Sequence, residues 1–162
     1  MAQKDDITIA KHFIDATKKV LSTMAGLEAV SGKPFSLHGR PGCAGDISAI
    51  IGVTGACSGS ISVSFSKEAA LTVLQGMLGE ESYSDEEAMD AVGEIINMIS
   101  GTARASLSEA GLVMQGSTPS VISGKDHTIL HQGKNPGIAI PFTVGNASFN
   151  VEFTLAPENE AN

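Results

Sequence analysis

Residues 84–111 read SDEEAMDAVGEIINMISGTARASLSEAG, and this segment has the signals of one long helix. Ser84 lies three residues before Glu87, which is the spacing of a capping box, and the acidic residues that follow Ser84 suit the positive end of a helix dipole. Gly111 is a typical C-terminal stop. The segment therefore predicts a helix over residues 85–110, about 39 Å long, which would cross a small domain.

This helix has two different faces when its residues are placed at about 100° intervals. One broad side is apolar and consists of Ala91, Val92, Ile95, Ile96, Met98, Ile99 and Ala103. The opposite side holds Asp90, Glu94 and Asn97 at the i, i+4 and i+7 positions. Gly93 and Gly101 lie in or beside the same stripe, where the missing side chains would let another backbone come close.

Two interpretations of the polar stripe remain open at this point. It is either a solvated face with a glycine kink or a docking face with one carboxylate and one amide. Asparagine and glycine are poor helix formers, which disfavours a face that serves solubility alone. An amide beside a carboxylate can orient a water molecule and meet a cation, but it has no nucleophile and no metal. Such a face suits a reaction whose other half comes from a partner.

Length and composition predict a single folded domain, residues 1–162. Hydrophobic residues make up 42% of the chain and charged residues 17%, so the chain can bury a core. The formal net charge is -8 and no basic patch with interleaved aromatic residues is present, which disfavours nucleic acid as a partner. No apolar run resembles a signal peptide or is long enough to span a bilayer, so we expect a cytoplasmic protein with no membrane partner.

The cysteines and histidines do not form a recognisable site in the sequence. Without an export signal, Cys43 and Cys57 are expected to be reduced thiols. Neither lies at a helix N-terminus beside a cation, so an enzyme that uses a cysteine nucleophile is disfavoured. His127 and His131 have the i, i+4 spacing of a helical metal pair, but their segment is expected to be extended and nothing completes a ligand set. We therefore predict no metal site in this chain.

The remaining chain predicts helices and strands in an order typical of an antiparallel sheet. The expected elements are helices 7–24 and 67–78 (N-cap Ser66), strands 46–53 and 60–65 around a turn at 55–59, and, after the long helix, strands or extended pieces at 112–114, 118–124, 126–130, 138–144 and 149–155. Gly145-Asn146 is a hairpin signal, and the tail is expected to fray from about residue 157. Because strands follow one another as hairpins, the fold class is α+β, a largely antiparallel sheet with helices packed on one face.

The motif residues resemble a known family. DAVGEIINMISG (90–101), followed by PSVISG (119–124), is similar to the CheX branch of the CheC/CheX/FliY phosphatases. That family has Asp or Ser, three residues, Glu, two residues, Asn, and a proline about twenty residues later. Asp90, Glu94, Asn97 and Pro119 match these positions. The resemblance extends upstream through IIGVTG (50–55) and SGS (58–60), and downstream to about Ile140, so it covers most of the chain.

The resemblance implies a phosphatase that removes phosphate from the phospho-aspartate of a CheY-type response regulator. Asn97 would orient the attacking water, and Glu94 would dock on a lysine of the regulator. Asp90 would support the docking face, with Gly93 and Gly101 allowing close approach. The chain would hold no cofactor, because the regulator would supply the Mg²⁺. A CheX-like homodimer is implied as well. The alternative is a non-catalytic module that binds a response regulator or a flagellar switch component.

Overall fold

Three helices and eight strands make up the part of the chain that the computed structural model describes, which is residues 4–79, 83–133 and 135–158. In chain order they are α1 (Lys4–Ala25), β1 (Ala29–Ser31), β2 (Phe35–Ser36), β3 (Gly45–Gly55), β4 (Cys57–Phe65), α2 (Lys67–Leu78), α3 (Asp85–Glu109), β5 (Met114–Gly116), β6 (Ser120–His127), β7 (Ile138–Val144) and β8 (Ala147–Pro157).

The eight strands form one sheet in the order β1-β7-β8-β4-β3-β5. The short β2 also pairs with β7, and β6 pairs with β3 beside the residues that β5 contacts. Every pairing in this sheet is antiparallel. The predicted α+β class with a largely antiparallel sheet is therefore confirmed.

The core lies between the sheet and the helices. Alternate residues of the neighbouring strands β4 and β8 face the helices, and Ile61 lies opposite Phe153 in their register. Stacked phenylalanines join the layers: the ring centroids of Phe13 in α1 and Phe153 lie 4.9 Å apart. Aliphatic and phenylalanine side chains thus fill a core that has no tryptophan.

The strongest helix signals in the sequence are confirmed. Ser66 is the N-cap of α2, where its side chain accepts a hydrogen bond from the Ala69 amide, and Gly79 adopts a left-handed conformation at the C-cap. The helix α3 begins at Asp85 as predicted and ends at Glu109. Capping residues in the local sequence therefore define both ends of α2 and the start of α3.

Several strand boundaries differ from those predicted. The turn expected over residues 55–59 is shorter, because β4 already begins at Cys57 and pairs there with the end of β8. The separate strand expected over 126–130 is wrong: β6 runs as one strand from Ser120 to His127 and residues 128–130 are outside it. The short strand β5 starts at Met114, two residues later than predicted, and β1 was not predicted.

The second face of the sheet is also covered in part. The alternation of serines in β4 predicts a half-buried strand with one polar face, but Ser62 and Ser64 on that face are 0% and 2% exposed. His131, four residues after the end of β6, lies against Ser60 and Ser62, and the Ser64 hydroxyl accepts a hydrogen bond from Ser48. This prediction failed because alternation shows which side of a strand is polar and does not show what lies over it.

The chain remains tied to the sheet close to its last described residue. β8 continues to Pro157, and the amide of Glu158 donates to the carbonyl of Ala56 at 3.1 Å. The tail expected to fray from about residue 157 lies otherwise outside the described residues. None of the helices in the described ranges is both long enough and apolar enough to cross a membrane.

Candidate functional site

The helix α3 begins at a complete capping box. The Ser84 hydroxyl accepts from the Glu87 amide at 3.1 Å, and the Glu87 carboxylate accepts from the Ser84 amide at 3.2 Å. Ten residues of the helix are buried, including Ile95, Ile96 and Ile99 at 0–1% exposure. The apolar side of α3 is thus fixed in the core, which sets the direction of its polar side.

The structure places Asp90, Glu94 and Asn97 together on the exposed side of α3. Their i, i+4 and i+7 spacing puts consecutive members about 4.5–6 Å apart along the helix axis. The side chains of Glu94 and Asn97 make no hydrogen bond or ion pair with any described residue. Both groups therefore point into solvent with their bonding capacity unused.

The two glycines of the stripe have different surroundings. Gly93 is buried, and a Cβ built there would lie 3.2 Å from a methyl group of Val121 in β6. Gly101 is half-buried, and a Cβ there would meet nothing within 4 Å. Packing against β6 accounts for Gly93. Nothing in the described residues accounts for Gly101.

The motif proline lies near the same face. Pro119 is half-buried and immediately precedes β6, whose second residue, Val121, contacts Gly93. A proline can start an edge strand because the missing N–H need not pair there. Pro119 therefore leads β6 to the flank of the motif helix, so the two segments of the sequence motif are close in space.

Glu94 and Asn97 line none of the four main cavities in the described part of the chain. A cavity of about 370 Å³ lies at the far end of α3 and is lined mainly by α1, α3 and β8. A groove between α1 and α3 begins at Gly101. An exposed helix face of this kind suits a reacting group that comes on a partner whose own surface surrounds it.

The described residues contain no cluster of three or more His, Cys, Asp or Glu side chains arranged to hold a metal ion. His127 and His131 contact different groups. The ring of His127 lies 2.6 Å from both the Ser48 hydroxyl and the Gly124 carbonyl, to which its Nδ1 donates. The two histidines of the i, i+4 pair therefore bond to different residues, His127 to Ser48 and Gly124 and His131 to Ser60 and Ser62.

Neither cysteine has the surroundings of a nucleophile. Burial, together with the nearby Glu152 carboxylate, raises the pKa of the Cys43 thiol to about 11. Burial alone raises the pKa of Cys57. Both thiols are free and stay protonated near neutral pH, which agrees with the prediction against cysteine chemistry.

Sequence reasoning missed a buried polar cluster on the second face of the sheet. Glu152 of β8 is 1% exposed, and its Oε1 lies 3.2 Å from His131 Nε2. Its Oε2 accepts from the Cys43 amide at 2.7 Å. The ring of His131 also lies 2.7 Å from the Ser60 hydroxyl and 3.0 Å from the Ser62 hydroxyl. These contacts attach the segments around residues 43 and 131 to the sheet.

A partial signal for this cluster was present in the sequence. Ser62 pairs with Glu152 in the register of β4 and β8, so a serine-bearing face and a buried carboxylate belong to neighbouring strands. The period-2 pattern of β8 predicts the side on which Glu152 lies. His131, which contacts Glu152, could not be predicted in this way, because it lies in a loop without a repeating pattern.

Comparisons with known proteins agree on one family. The family model of the chemotaxis phosphatase CheX matches residues 47–143. The CheY-P phosphatase CheX of Thermotoga maritima is 32% identical over 123 residues, which cover 75% of this chain and 79% of that protein. The crystal structure of CheX from Desulfovibrio desulfuricans is 50% identical, with a TM-score of 0.87, and the match covers 92% of this chain and 99% of that one.

A third relative is known in complex with another protein. The crystal structure of the CheX–CheY–BeF₃–Mg²⁺ complex from Borrelia burgdorferi contains a chain 27% identical to this one, with a TM-score of 0.74 and coverage of 90% and 96%. The family match includes both α3 and Pro119, so the exposed stripe belongs to the region that defines the relationship. This chain therefore belongs to the chemotaxis phosphatase CheX family.

Proposed function

We propose that this protein dephosphorylates the phospho-aspartate of a CheY-type response regulator. The observation that supports this most directly is the exposed, unpaired pair Glu94 and Asn97 on a helix face without a cavity. The named activity of the Thermotoga maritima relative and the bound CheY in the Borrelia burgdorferi structure agree with it. A phosphorylated receiver domain is the kind of substrate that brings its own enclosed site to an open helix.

In this proposal Asn97 is the catalytic residue. Its amide enters the regulator's active site and orients the water that attacks the phosphoryl group in line. Phosphoryl transfer needs positioning and charge stabilisation more than covalent chemistry, so one amide can be sufficient. An acceleration of two to three decades corresponds to about 3–4 kcal/mol of transition-state stabilisation, which one or two positioned groups can supply.

Glu94 has a binding role in the same proposal. Its carboxylate pairs with a lysine of the regulator and sets the register of α3 over the acyl phosphate. Asp90 extends the docking face, and the missing side chain at Gly101 lets the regulator approach the helix closely. The Mg²⁺ that neutralises the phosphoryl oxygens belongs to the regulator, so no cofactor is assigned to this chain.

The experiment is an assay of acyl-phosphate loss from a phosphorylated CheY-type receiver domain of the same organism. Asn97→Ala should lower kcat by at least 100-fold and leave the Kd for a receiver loaded with BeF₃ and Mg²⁺ within about threefold. Gln75→Ala removes an exposed amide from α2 and serves as the matched control, with unchanged kinetics.

Two results would contradict the assignment. Full hydrolysis by Asn97→Ala would remove Asn97 from the catalytic step. Tight receiver binding by the wild-type chain without any acceleration of phosphate loss would favour a non-catalytic docking module for a regulator or a flagellar switch component.

We propose also that two copies of the chain associate. The feature that supports this is β6, an edge strand that pairs only with β3 among the described strands and is exposed over most of its length. An exposed edge is a template for pairing with a second chain. Sedimentation equilibrium at micromolar concentration should give twice the chain mass of 16.6 kDa, and a constant monomer mass would refute the dimer.

A further inference from the structure

A groove of about 510 Å³ lies between α1 and α3 and begins one helical turn beyond Asn97. Its lining residues are His12, Asp15, Ala16 and Lys19 from α1, with Gly101, Thr102, Ala105, Ser106 and Glu109 from α3. The start of α1 (Asp6, Thr8 and Ile9) lines a cavity with residues at and beyond the end of α3 (Leu107, Ala110 and Leu112), and further along α1 His12 contacts Ser106 at 2.6 Å. The two helices therefore run in opposite directions. The Lys19 end of the groove is therefore the end next to the motif.

The glycine at the head of this groove has no internal explanation. A glycine in a helix interior is less favourable than alanine by about 1 kcal/mol. A Cβ at Gly101 would meet open space, whereas at Gly93 it would crowd Val121. The fold itself does not require the missing side chain at 101. A molecule that approaches α3 closely at this point would require it.

The groove has a lysine, Lys19, and a carboxylate, Asp15, on its α1 side. Lys19 and Asp15 are both exposed, and neither forms an ion pair with a residue in the described ranges. On the exposed stripe of α3, the neighbouring charges are the carboxylates Asp90 and Glu94. The combined surface thus has the two carboxylates of Asp90 and Glu94 on α3 and, across the groove on α1, the ammonium group of Lys19 with Asp15 one turn before it. Charges in a fixed order of this kind can fix the orientation of a partner.

We propose that the groove between α1 and α3 is the second half of the regulator-docking surface. The receiver domain that meets Glu94 and Asn97 places a loop over Gly101 into the groove, and Lys19 pairs with an acidic side chain of that receiver. Lys19 is then a specificity-determining residue, because it selects regulators with an acid at this place. This inference rests on the proposed phosphatase function and adds a second helix to it.

The test compares two adjacent lysines of α1. Lys19→Glu should raise KM for the phosphorylated receiver, and Kd for the BeF₃–Mg²⁺ receiver, at least tenfold while kcat stays within twofold. Lys18→Glu makes the same change of net charge at an exposed position outside the groove, and both constants should remain as in wild type. Ala105→Leu, which fills the groove, should raise KM similarly, with Gln75→Leu on α2 as its control.

The outcomes separate the two proposals. If Lys19→Glu and Ala105→Leu bind the receiver like wild type while Asn97→Ala still loses hydrolysis, the groove proposal is overturned and the phosphatase assignment stands. An equal effect of Lys19→Glu and Lys18→Glu would overturn it as well, because net charge alone would then explain the loss. If Asn97→Ala keeps full hydrolysis, only the catalytic role of Asn97 fails, whereas a wild-type chain that does not accelerate phosphate loss would refute the phosphatase assignment. Circular dichroism of each variant confirms that the fold is kept.

Discussion

Two glycines of α3 have the same backbone conformation but different surroundings. Gly93 and Gly101 both lie near the exposed stripe, and both have helical backbone conformations. Gly93 contacts Val121 of β6, so a methyl group there would press on the sheet. Gly101 has free space, so a methyl group there would only restrict the unfolded chain and improve helix propensity.

Gly101→Ala should therefore stabilise the protein. The expected gain is about 0.5–1 kcal/mol in the free energy of unfolding, measured by urea denaturation with an unchanged m-value. Gly93→Ala is the matched comparison and should gain less or lose stability, since its Cβ would lie 3.2 Å from Val121. Equal gains at both positions would show that the contact with β6 is loose.

Periodicity predicted the exposed residues of the site correctly. Asp90, Glu94 and Asn97 lie on the solvent side because the apolar residues of the same helix have to face the core. Their individual roles are outside what periodicity can give and remain predictions. The contact between His131 and Glu152 could not be predicted, because it joins residues of separate segments through a loop without a repeating pattern.

At the scale of elements, α3 is stabilised by its N-terminal cap and by its buried face. Its first turn contains the reciprocal hydrogen bonds of Ser84 and Glu87. Three consecutive acidic residues lie there, at the positive end of the helix dipole. Asp90, the first residue of the motif, lies within two turns of this cap, so fraying of the cap would reach the near end of the docking face.

Ser84→Ala should destabilise the protein by about 1 kcal/mol, because the Glu87 amide loses its acceptor. Thermal unfolding followed by circular dichroism measures this effect. Ser108→Ala near the exposed C-terminal end of the same helix is the control and should cause little change. A loss as large at Ser108 would mean that hydroxyl removal, and not capping, is responsible.

The elements differ in how well local sequence defines them. The helices α2 and α3 and the hairpin of β7 and β8 were predicted closely, because caps, a Gly-Asn turn and alternating apolar residues are all local signals. The strand β6 was divided incorrectly, since most of its residues are exposed and lack alternation. Its limits are set by pairing with β3, a partner about 75 residues away in the chain.

At the scale of the whole molecule, one carboxylate joins three parts of the fold. Asp46 of β3 accepts from the Asp126 amide near the end of β6 at 3.1 Å and from the Lys67 amide at the start of α2 at 2.8 Å. These two hydrogen bonds, with Asp126 contributing most, lower the pKa of Asp46 below its ordinary value of 3.8. Asp126 has a φ of 55°, a left-handed backbone conformation that is less favourable for aspartate than for glycine. In this conformation its amide donates to the Asp46 carboxylate.

The lowered pKa gives a pH dependence with a definite sign. A carboxyl group with a lower pKa in the folded state stabilises the protein above its unfolded pKa, and this contribution is lost as the pH falls through the folded value. Asp46→Asn should therefore lower Tm at pH 7, and the difference from wild type should shrink below about pH 4. Asp90→Asn, whose side chain has no bond to a described residue, should lower Tm less at pH 7. A difference that stays constant down to pH 3 would contradict this assignment.

The position of β8 has a consequence for synthesis. Among the described strands it comes last in chain order, yet it lies between β7 and β4 and joins the two halves of the sheet. A nascent chain that still lacks residues 147–157 would have two open strand edges, which are templates for aggregation. Closure of the sheet therefore has to follow translation of this segment, and a premature stop codon before residue 147 would leave a product that cannot complete its core.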